Sequence, residues 1–144
     1  MGQTASGAFD GSGVGVFPGG ASERTVICSY DFAVHGGAVS SIAIGRIPSG
    51  SYIVGGFMLI ETAVVGAGAT VGIDSEATSD IVTAAAVAGA PWSTTGKKAI
   101  NPKVNTPETT SVTLTADRNI NLTITAAVLT AGKLKLFLMV QNAL

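Results

Sequence analysis

The chain contains one histidine and one cysteine, two side chains that often carry chemistry at neutral pH. His35 lies four residues after Asp31 and shortly before Ser40 and Ser41, so the residue types of a Ser-His-Asp site occur close together. The alternating pattern predicts a strand here, and along a strand Asp31 and His35 would stand about 13 Å apart, too far for a hydrogen bond. We therefore interpret His35 as a surface residue beside a turn and predict no catalytic residues and no enzymatic activity.

Three carboxylates, Asp74, Glu76 and Asp80, could offer oxygen ligands to calcium. Their spacing does not follow the fixed loop of a known calcium motif, so a solvated loop is the favoured interpretation. Cys28 falls on the inner face of its predicted strand, and one Cys with one His supplies too few ligands for an ordinary zinc site. We expect no cofactor and no metal.

Composition gives little support to nucleic-acid or membrane binding. The 144-residue chain has a net charge of −1 and 12% charged residues, and its basic side chains are scattered. The Gly-rich start lacks the Lys-Ser/Thr ending of a P-loop. Apolar stretches such as 63–73 are broken by glycine and too short to span a bilayer. A surface this poor in charge is either a Thr-rich β surface or one largely covered by partners.

Residues 1–24 differ from the rest in being dense in Gly and Ser. Ordering such a segment costs much conformational entropy. Two interpretations are open: a terminus without fixed structure, or an extended arm whose Phe9 and Phe17 dock on a neighbouring subunit. We divide the chain into an N-terminal arm, 1–24, and a folded domain, 25–144.

The domain shows the period-two alternation of β-strands. The Ala-rich segment 81–88 is compatible with a helix or a strand, and both stay open. Residues 90–107 are predicted to form a long loop with one short edge strand. Earlier strands are predicted over 25–35, 39–47, 52–63 (with a bulge or bend at Gly55 and Gly56) and 69–74.

The clearest alternation lies in the C-terminal third, where turns at 117–119 and 130–132 predict an antiparallel meander of three strands. On the last strand Phe137 and Met139 occupy outward positions that would usually be polar. Something is therefore expected to cover them: the second sheet, the N-terminal arm or another subunit. The inward positions of this strand are Leu134, Leu136, Leu138 and Val140.

Trp92 is the single tryptophan and lies in a Pro-Trp-Ser loop. A loop tryptophan either plugs the core or anchors a contact with a partner. The candidate contacts with another subunit or a partner are Phe9, Phe17, Trp92, Phe137 and Met139.

Seven or eight short strands with frequent turns predict an all-β fold, a two-sheet antiparallel sandwich with a Gly-rich extended N-terminal arm. A jelly-roll-like arrangement is the first choice, and a shorter Greek-key sandwich is the second.

The order of these features resembles that of small structural proteins of tailed bacteriophages. The resemblance covers roughly residues 25–144 and consists of an aliphatic strand ending near IPSG, a V-x-G-G-hydrophobic strand, a Gly/Ala/Thr segment ending in G-I-D, and a T-A-G-K turn before an apolar last strand. These motifs stand at Ile47 to Gly50, Val54 to Phe57, Gly66 to Asp74, and Thr130 to Lys133.

The resemblance implies a virion protein of the head decoration or cement type, a capsid-bound jelly roll. Such proteins commonly form homotrimers over joints between major capsid proteins on the head exterior. The implied partners are therefore further copies of this chain and the major capsid protein, with no nucleic acid and no membrane. The alternative is another virion component: a tail, head-fibre or receptor- or carbohydrate-binding protein.

Overall fold

The computed structural model describes residues 23–102 and 112–142. Within these ranges it contains nine strands and one helix of four residues, and no helix there is long and apolar enough to cross a membrane. The elements are β1 Glu23–Asp31, α1 Phe32–His35, β2 Ser41–Ile47, β3 Ser51–Val65, β4 Thr70–Asp74, β5 Val82–Ala86, β6 Gly96–Ala99, β7 Val112–Thr113, β8 Arg118–Thr125 and β9 Ala131–Asn142.

The strands form two antiparallel sheets that pack face to face. The first sheet has the order β1-β9-β3-β6, with the two-residue β7 also paired to β3. The second sheet has the order β2-β8-β4-β5. Apart from β7, this is the strand order of an eight-stranded jelly roll, in which the chain passes repeatedly from one sheet to the other. The prediction of an all-β two-sheet sandwich is confirmed.

The predicted C-terminal meander is wrong. β8 pairs with β2 and β4 in the second sheet, whereas β7 and β9 belong to the first. The connections lie at 114–117 and 126–130, slightly before the predicted turns at 117–119 and 130–132, and each carries the chain across the sandwich. Turn residues show where a chain reverses. The same residue types occur in a hairpin within one sheet and in a connection between two sheets, so they do not show which of the two forms.

The first strand ends earlier than the alternation indicates, at Asp31. The Asp31 side chain accepts a hydrogen bond from the Ala33 backbone N–H at 2.9 Å and caps the short helix α1. In an uninterrupted strand over 25–35 Val34 would share the inner face with Cys28, and it is instead 75% exposed. At the other end β1 begins at Glu23, so Glu23 and Arg24, assigned to the arm, lie in a strand.

The core lies between the sheets and consists of the inward side chains of the strands. The four inward side chains predicted for β9 are all fully buried. A register shift between Ile53 and Gly55 confirms the bulge predicted in β3. Gly56 follows it with φ +153°, and a Cβ there would lie 2.2 Å from the Phe137 carbonyl oxygen. Only glycine fits where β3 passes so close to β9.

The Ala-rich segment and the loop that follows it resolve into strands at the edges of the two sheets. Residues Val82–Ala86 form β5 at the end of the second sheet. Residues Gly96–Ala99 form β6 at the end of the first, which confirms one short edge strand in the predicted loop. The C-terminal part of that loop, 103–107, lies outside the described residues.

Candidate functional site

The candidate site is the surface of the first sheet that points away from the second, termed here the outer face. Both predicted contact residues on β9 lie on it. Phe137 is half-buried, and Met139 is 37% exposed. Half-burial of Phe137 arises within the sheet, because its ring stacks on that of Phe57 with centroids 4.7 Å apart. The second sheet does not cover this surface.

The register of the strands extends the apolar surface on both sides of Phe137. Ile27 of β1 and Phe57 of β3 are its direct cross-strand partners, so the three side chains form one row. Ile27 is 59% exposed, while Phe57 is half-buried. Leu59 lies in the next row, beside Lys135. Met139 lies in the row on the other side, opposite Gly55.

Sequence reasoning missed Ile27 and Phe57 as members of this surface. A signal for Ile27 was available, because it lies between the inward Val26 and Cys28 and must therefore point outward. Residues 57–60 are all apolar, so alternation within this strand does not show which of them point outward. Nothing local could place it beside Phe137, because β3 and β9 are separated by some seventy residues of chain.

Three lysines border the apolar row. Lys97 of β6 holds its ammonium 4.5 Å from the centroid of the Phe57 ring, a cation–π contact. Lys133 and Lys135 lie 3.7 and 3.6 Å from the Glu61 carboxylate. Glu61 is joined on this face by two carboxylates of β1, because Asp31 lies directly opposite Lys133 and Glu23 opposite Gln141. The border of the apolar row therefore carries charges of both signs and suits a partner with an apolar centre and a charged rim.

The corresponding surface of the second sheet is polar. Thr123 of β8 lies at its centre, opposite Ser41 of β2, and their hydroxyls are 3.0 Å apart. Thr125 lies opposite Thr70 of β4. The contrast between the two sheets identifies the outer face of the first as the better contact surface. Burial of its apolar side chains against a partner would lower the free energy of the complex.

Trp92 lies in the core of the isolated chain with no exposed surface. Its backbone carbonyl accepts a hydrogen bond from Val64 N–H at 2.9 Å. The indole Nε1 has no hydrogen-bond partner among the described residues. Trp92 therefore fills the core, and within the isolated chain its side chain is not accessible to a partner. Phe9 and Phe17, the other predicted contacts, lie outside the described residues.

His35 is closer to Asp31 than an uninterrupted strand would allow, because α1 turns the chain back. Its Nδ1 lies 3.1 Å from the Asp31 backbone nitrogen, and its ring stacks on Tyr30 with centroids 5.6 Å apart. The Asp31 carboxylate is engaged by Ala33 N–H instead. The imidazole thus contacts the backbone of Asp31, and the orientation by a carboxylate that a catalytic triad needs is not formed.

The carboxylates considered for calcium hold the fold together instead. Asp80 is 2% exposed and accepts hydrogen bonds from the backbone N–H groups of Ser75, Glu76 and Ala77 at 2.8, 3.0 and 2.9 Å. Glu76 forms an ion pair with Arg118 at 3.0 Å. Donors already occupy these oxygens, and no cluster of three or more metal-ligating side chains occurs in the described part of the chain.

Cys28 is fully buried, and burial raises the pKa of its thiol to about 11. The thiol is therefore protonated at neutral pH and behaves as a small apolar group.

Comparison with known proteins bears on the fold. No family model matches the chain, and no curated protein sequence matches it. Among solved structures, the chain is similar to one described as "Cyanophage Pam1 capsid asymmetric unit", with a TM-score of 0.62 and 12% sequence identity. The match covers 96% of this chain and 99% of that chain. At this level of identity the similarity establishes that the two chains share a fold.

Proposed function

We propose that this chain is a structural protein of a phage virion, a capsid decoration or cement protein that binds the lattice of the major capsid protein on the head exterior. The observation that carries the proposal is the outer face: an exposed apolar row bordered by charges of both signs, on a fold shared with a chain of a cyanophage capsid. A jelly roll hosts many functions, so the site has to supply the argument for this one.

The outer face binds by burial. Full burial of a wholly exposed Ile or Met side chain contributes about 1.5–3 kcal/mol, and Ile27 and Met139, which are 59% and 37% exposed, would contribute a part of this as the expected anchors. The charges of both signs around the row fix the register of the contact. On a capsid the same contact repeats at every lattice site, so linked copies attach far more firmly than a single copy does.

The proposed function needs no catalytic step, and His35 contacts the backbone of Asp31, not its carboxylate. The chain would stabilise a shell by holding neighbouring capsid subunits together. Oligomerisation would raise the number of contacts per particle.

The test is attachment of the purified full-length chain to capsids of its phage that lack it, measured by co-sedimentation and by imaging of the heads. Ile27→Lys is expected to reduce attachment at least tenfold, because it places a charge in the apolar row. Thr125→Lys, which adds the same charge to an exposed strand position of the second sheet, is the matched control and should attach normally.

Equal attachment of the Ile27→Lys and Thr125→Lys variants would overturn the proposed binding surface. Localisation of the protein to tails or fibres, or saturable binding to a carbohydrate with no binding to heads, would overturn the decoration role.

A further inference from the structure

One end of the sandwich is built from the four connecting segments 32–40, 63–69, 87–95 and 126–130, and is termed here the uncharged end. These segments contain one histidine and no other acidic or basic residue, and the ammonium of Lys98, from β6, reaches their margin at the Thr94 hydroxyl, 2.6 Å away. These segments hold 30 residues without an Asp, Glu, Lys or Arg. The chain average of 12% charged residues would place about three or four among them.

Backbone hydrogen bonds join the four segments into one surface. Each segment is bonded to the next around the end of the sandwich, which fixes their relative positions. The joining bonds are Leu129 N–H to Gly37 O at 2.8 Å, Thr130 N–H to Val65 O at 2.7 Å, Val64 N–H to Trp92 O at 2.9 Å, and Val87 N–H to Ala69 O at 3.0 Å.

The uncharged end presents apolar side chains to solvent. Four valines, one or two from each of three segments, are about half exposed or more: Val34 at 75%, Val39 at 53%, Val65 at 49% and Val128 at 54%. An apolar cavity of about 350 Å³ opens between segments 63–69 and 87–95. Ala67, Ala88 and Ala90 are exposed as well. Serine and threonine hydroxyls lie at its margin, together with the Lys98 ammonium.

The opposite end of the sandwich carries charges. There Arg46 pairs with Asp117 at 3.3 Å, and Glu76 pairs with Arg118 at 3.0 Å. The absence of charge is therefore a property of one end, and the low charge of the chain as a whole does not account for it.

We propose that the uncharged end is where copies of this chain contact one another. Two copies related by a two-fold axis bring the same surface together, so a charge near that axis stands beside the same charge of its neighbour and opposes association. A surface without charge meets its own copy without that cost, and its valines lose contact with water. An acidic or basic partner, in contrast, would find no counter-charge here.

This inference concerns a different surface from the one that the proposed function uses. The outer face carries lysines and carboxylates around its apolar row and is the surface proposed to bind the capsid. The uncharged end suits a second copy. The two surfaces are therefore open to separate tests.

The test is the mass of the full-length chain by sedimentation velocity across a concentration series. The wild type is expected to form a defined oligomer. The double variant Val34→Lys with Val128→Lys is expected to weaken association at least tenfold, because each lysine faces positive charge on the neighbouring copy. Both positions are exposed, so circular dichroism and the urea midpoint should remain as in the wild type.

The matched control is Val54→Lys, which adds the same charge at a valine that is 47% exposed on β3, away from this end. It should keep the wild-type mass. The inference is overturned if the wild type is a monomer throughout the series, if the double variant keeps the wild-type mass, or if Val54→Lys dissociates the oligomer equally. A monomeric wild type that floats with neutral phospholipid vesicles would assign the uncharged end to a bilayer instead.

Ile27→Lys separates this inference from the proposed function. It should keep the oligomer and lose attachment to capsids. If it keeps both, while the double variant dissociates, the proposed function fails and the contact between copies stands.

Discussion

Gly45 is the point of closest approach between the two sheets at one edge of the sandwich. A Cβ at this position would lie 2.3 Å from the Cys28 sulfur and 3.1 Å from the Cys28 Cβ. The two residues belong to β2 and β1, the edge strands of different sheets. The missing side chain of Gly45 thus makes room for the buried thiol, and a single pair of residues sets how closely this edge can close.

We expect Gly45→Ala to lower the free energy of unfolding by about 1–3 kcal/mol through overpacking. Cys28→Ala in the same chain removes the sulfur and should recover part of this loss, so the two substitutions should be non-additive in urea unfolding. Gly89→Ala is the control, because its added Cβ would meet its nearest atom, the Ala86 carbonyl oxygen, at an ordinary 3.8 Å. Strict additivity would contradict the steric explanation.

The Cys28 thiol should be inert toward a disulfide reagent in the folded chain at pH 8. Its pKa of about 11 and its complete burial leave little thiolate and no access. Absorbance of the released thiolate from the reagent should rise quickly after addition of urea. Rapid modification without denaturant would show that the edge formed by β1 and β2 opens readily.

At the scale of elements, the loop between β4 and β5 depends on two carboxylates. Asp80 ties the loop to itself through three backbone N–H groups, and Glu76 ties it to the start of β8 through Arg118. The Glu76 carboxylate also accepts hydrogen bonds from the Thr115 hydroxyl and backbone N–H. The side chain of Glu76 is 18% exposed, so water screens these interactions only in part.

These contacts make stability depend on pH. The hydrogen bond from Arg118, followed by that from Thr115, lowers the pKa of Glu76 below its ordinary value of 4.5. A carboxyl group whose pKa is lower in the folded state stabilises the fold above its unfolded-state value, and the contribution is lost as pH falls through the folded-state value. Glu76→Gln should therefore reduce the urea midpoint at pH 7, and its difference from the wild type should shrink below pH 4.5.

Glu61→Gln is the control for this prediction. Glu61 meets Lys133 and Lys135 at 3.7 and 3.6 Å on an exposed surface, so its replacement should have a smaller effect at pH 7. A constant difference between Glu76→Gln and the wild type from pH 7 to pH 3 would show that the ionised form of Glu76 is not what stabilises the loop.

At the scale of the whole molecule, the buried apolar side chains of the described residues form one cluster that runs from Cys28 to Val140. The division of surfaces follows from this arrangement. One sheet turns an apolar face outward, the other a Thr- and Ser-bearing face, and the two ends differ in charge. The two faces and the two ends of the molecule therefore differ in chemistry, and the proposed function uses this difference.

Deletion of residues 1–22 should leave the thermal unfolding transition nearly unchanged, because the cluster and strand β1 remain complete. If the predicted arm with Phe9 and Phe17 docks on a neighbouring subunit, the same deletion should weaken capsid attachment in the co-sedimentation assay. Glu23 and Arg24 are kept, since they pair with Gln141 and Val140 in the sheet. Unchanged attachment would assign the segment no role in binding.

The sequence by itself determined where most of the strands lie, the inward residues of β9, the bulge at Gly55, and the outward position of Phe137 and Met139, while the Ala-rich segment of β5 stayed open between helix and strand. These are local properties, because alternation follows from the pleat of a single strand. Local pattern failed where a nearby side chain intervened, as when Asp31 capped a helix and ended β1.

The tertiary structure alone decided which strands pair, and with that the composition of every surface. Pairing depends on strands that are distant in sequence, and turn residues do not show it. The prediction of a meander was therefore wrong, and the chain crosses between the sheets instead. Only after pairing do Ile27, Phe137 and Phe57 meet in one row, and four separate segments without charge meet at one end. The structure likewise decided that Trp92 lies in the core, because its burial depends on strands that are distant in sequence.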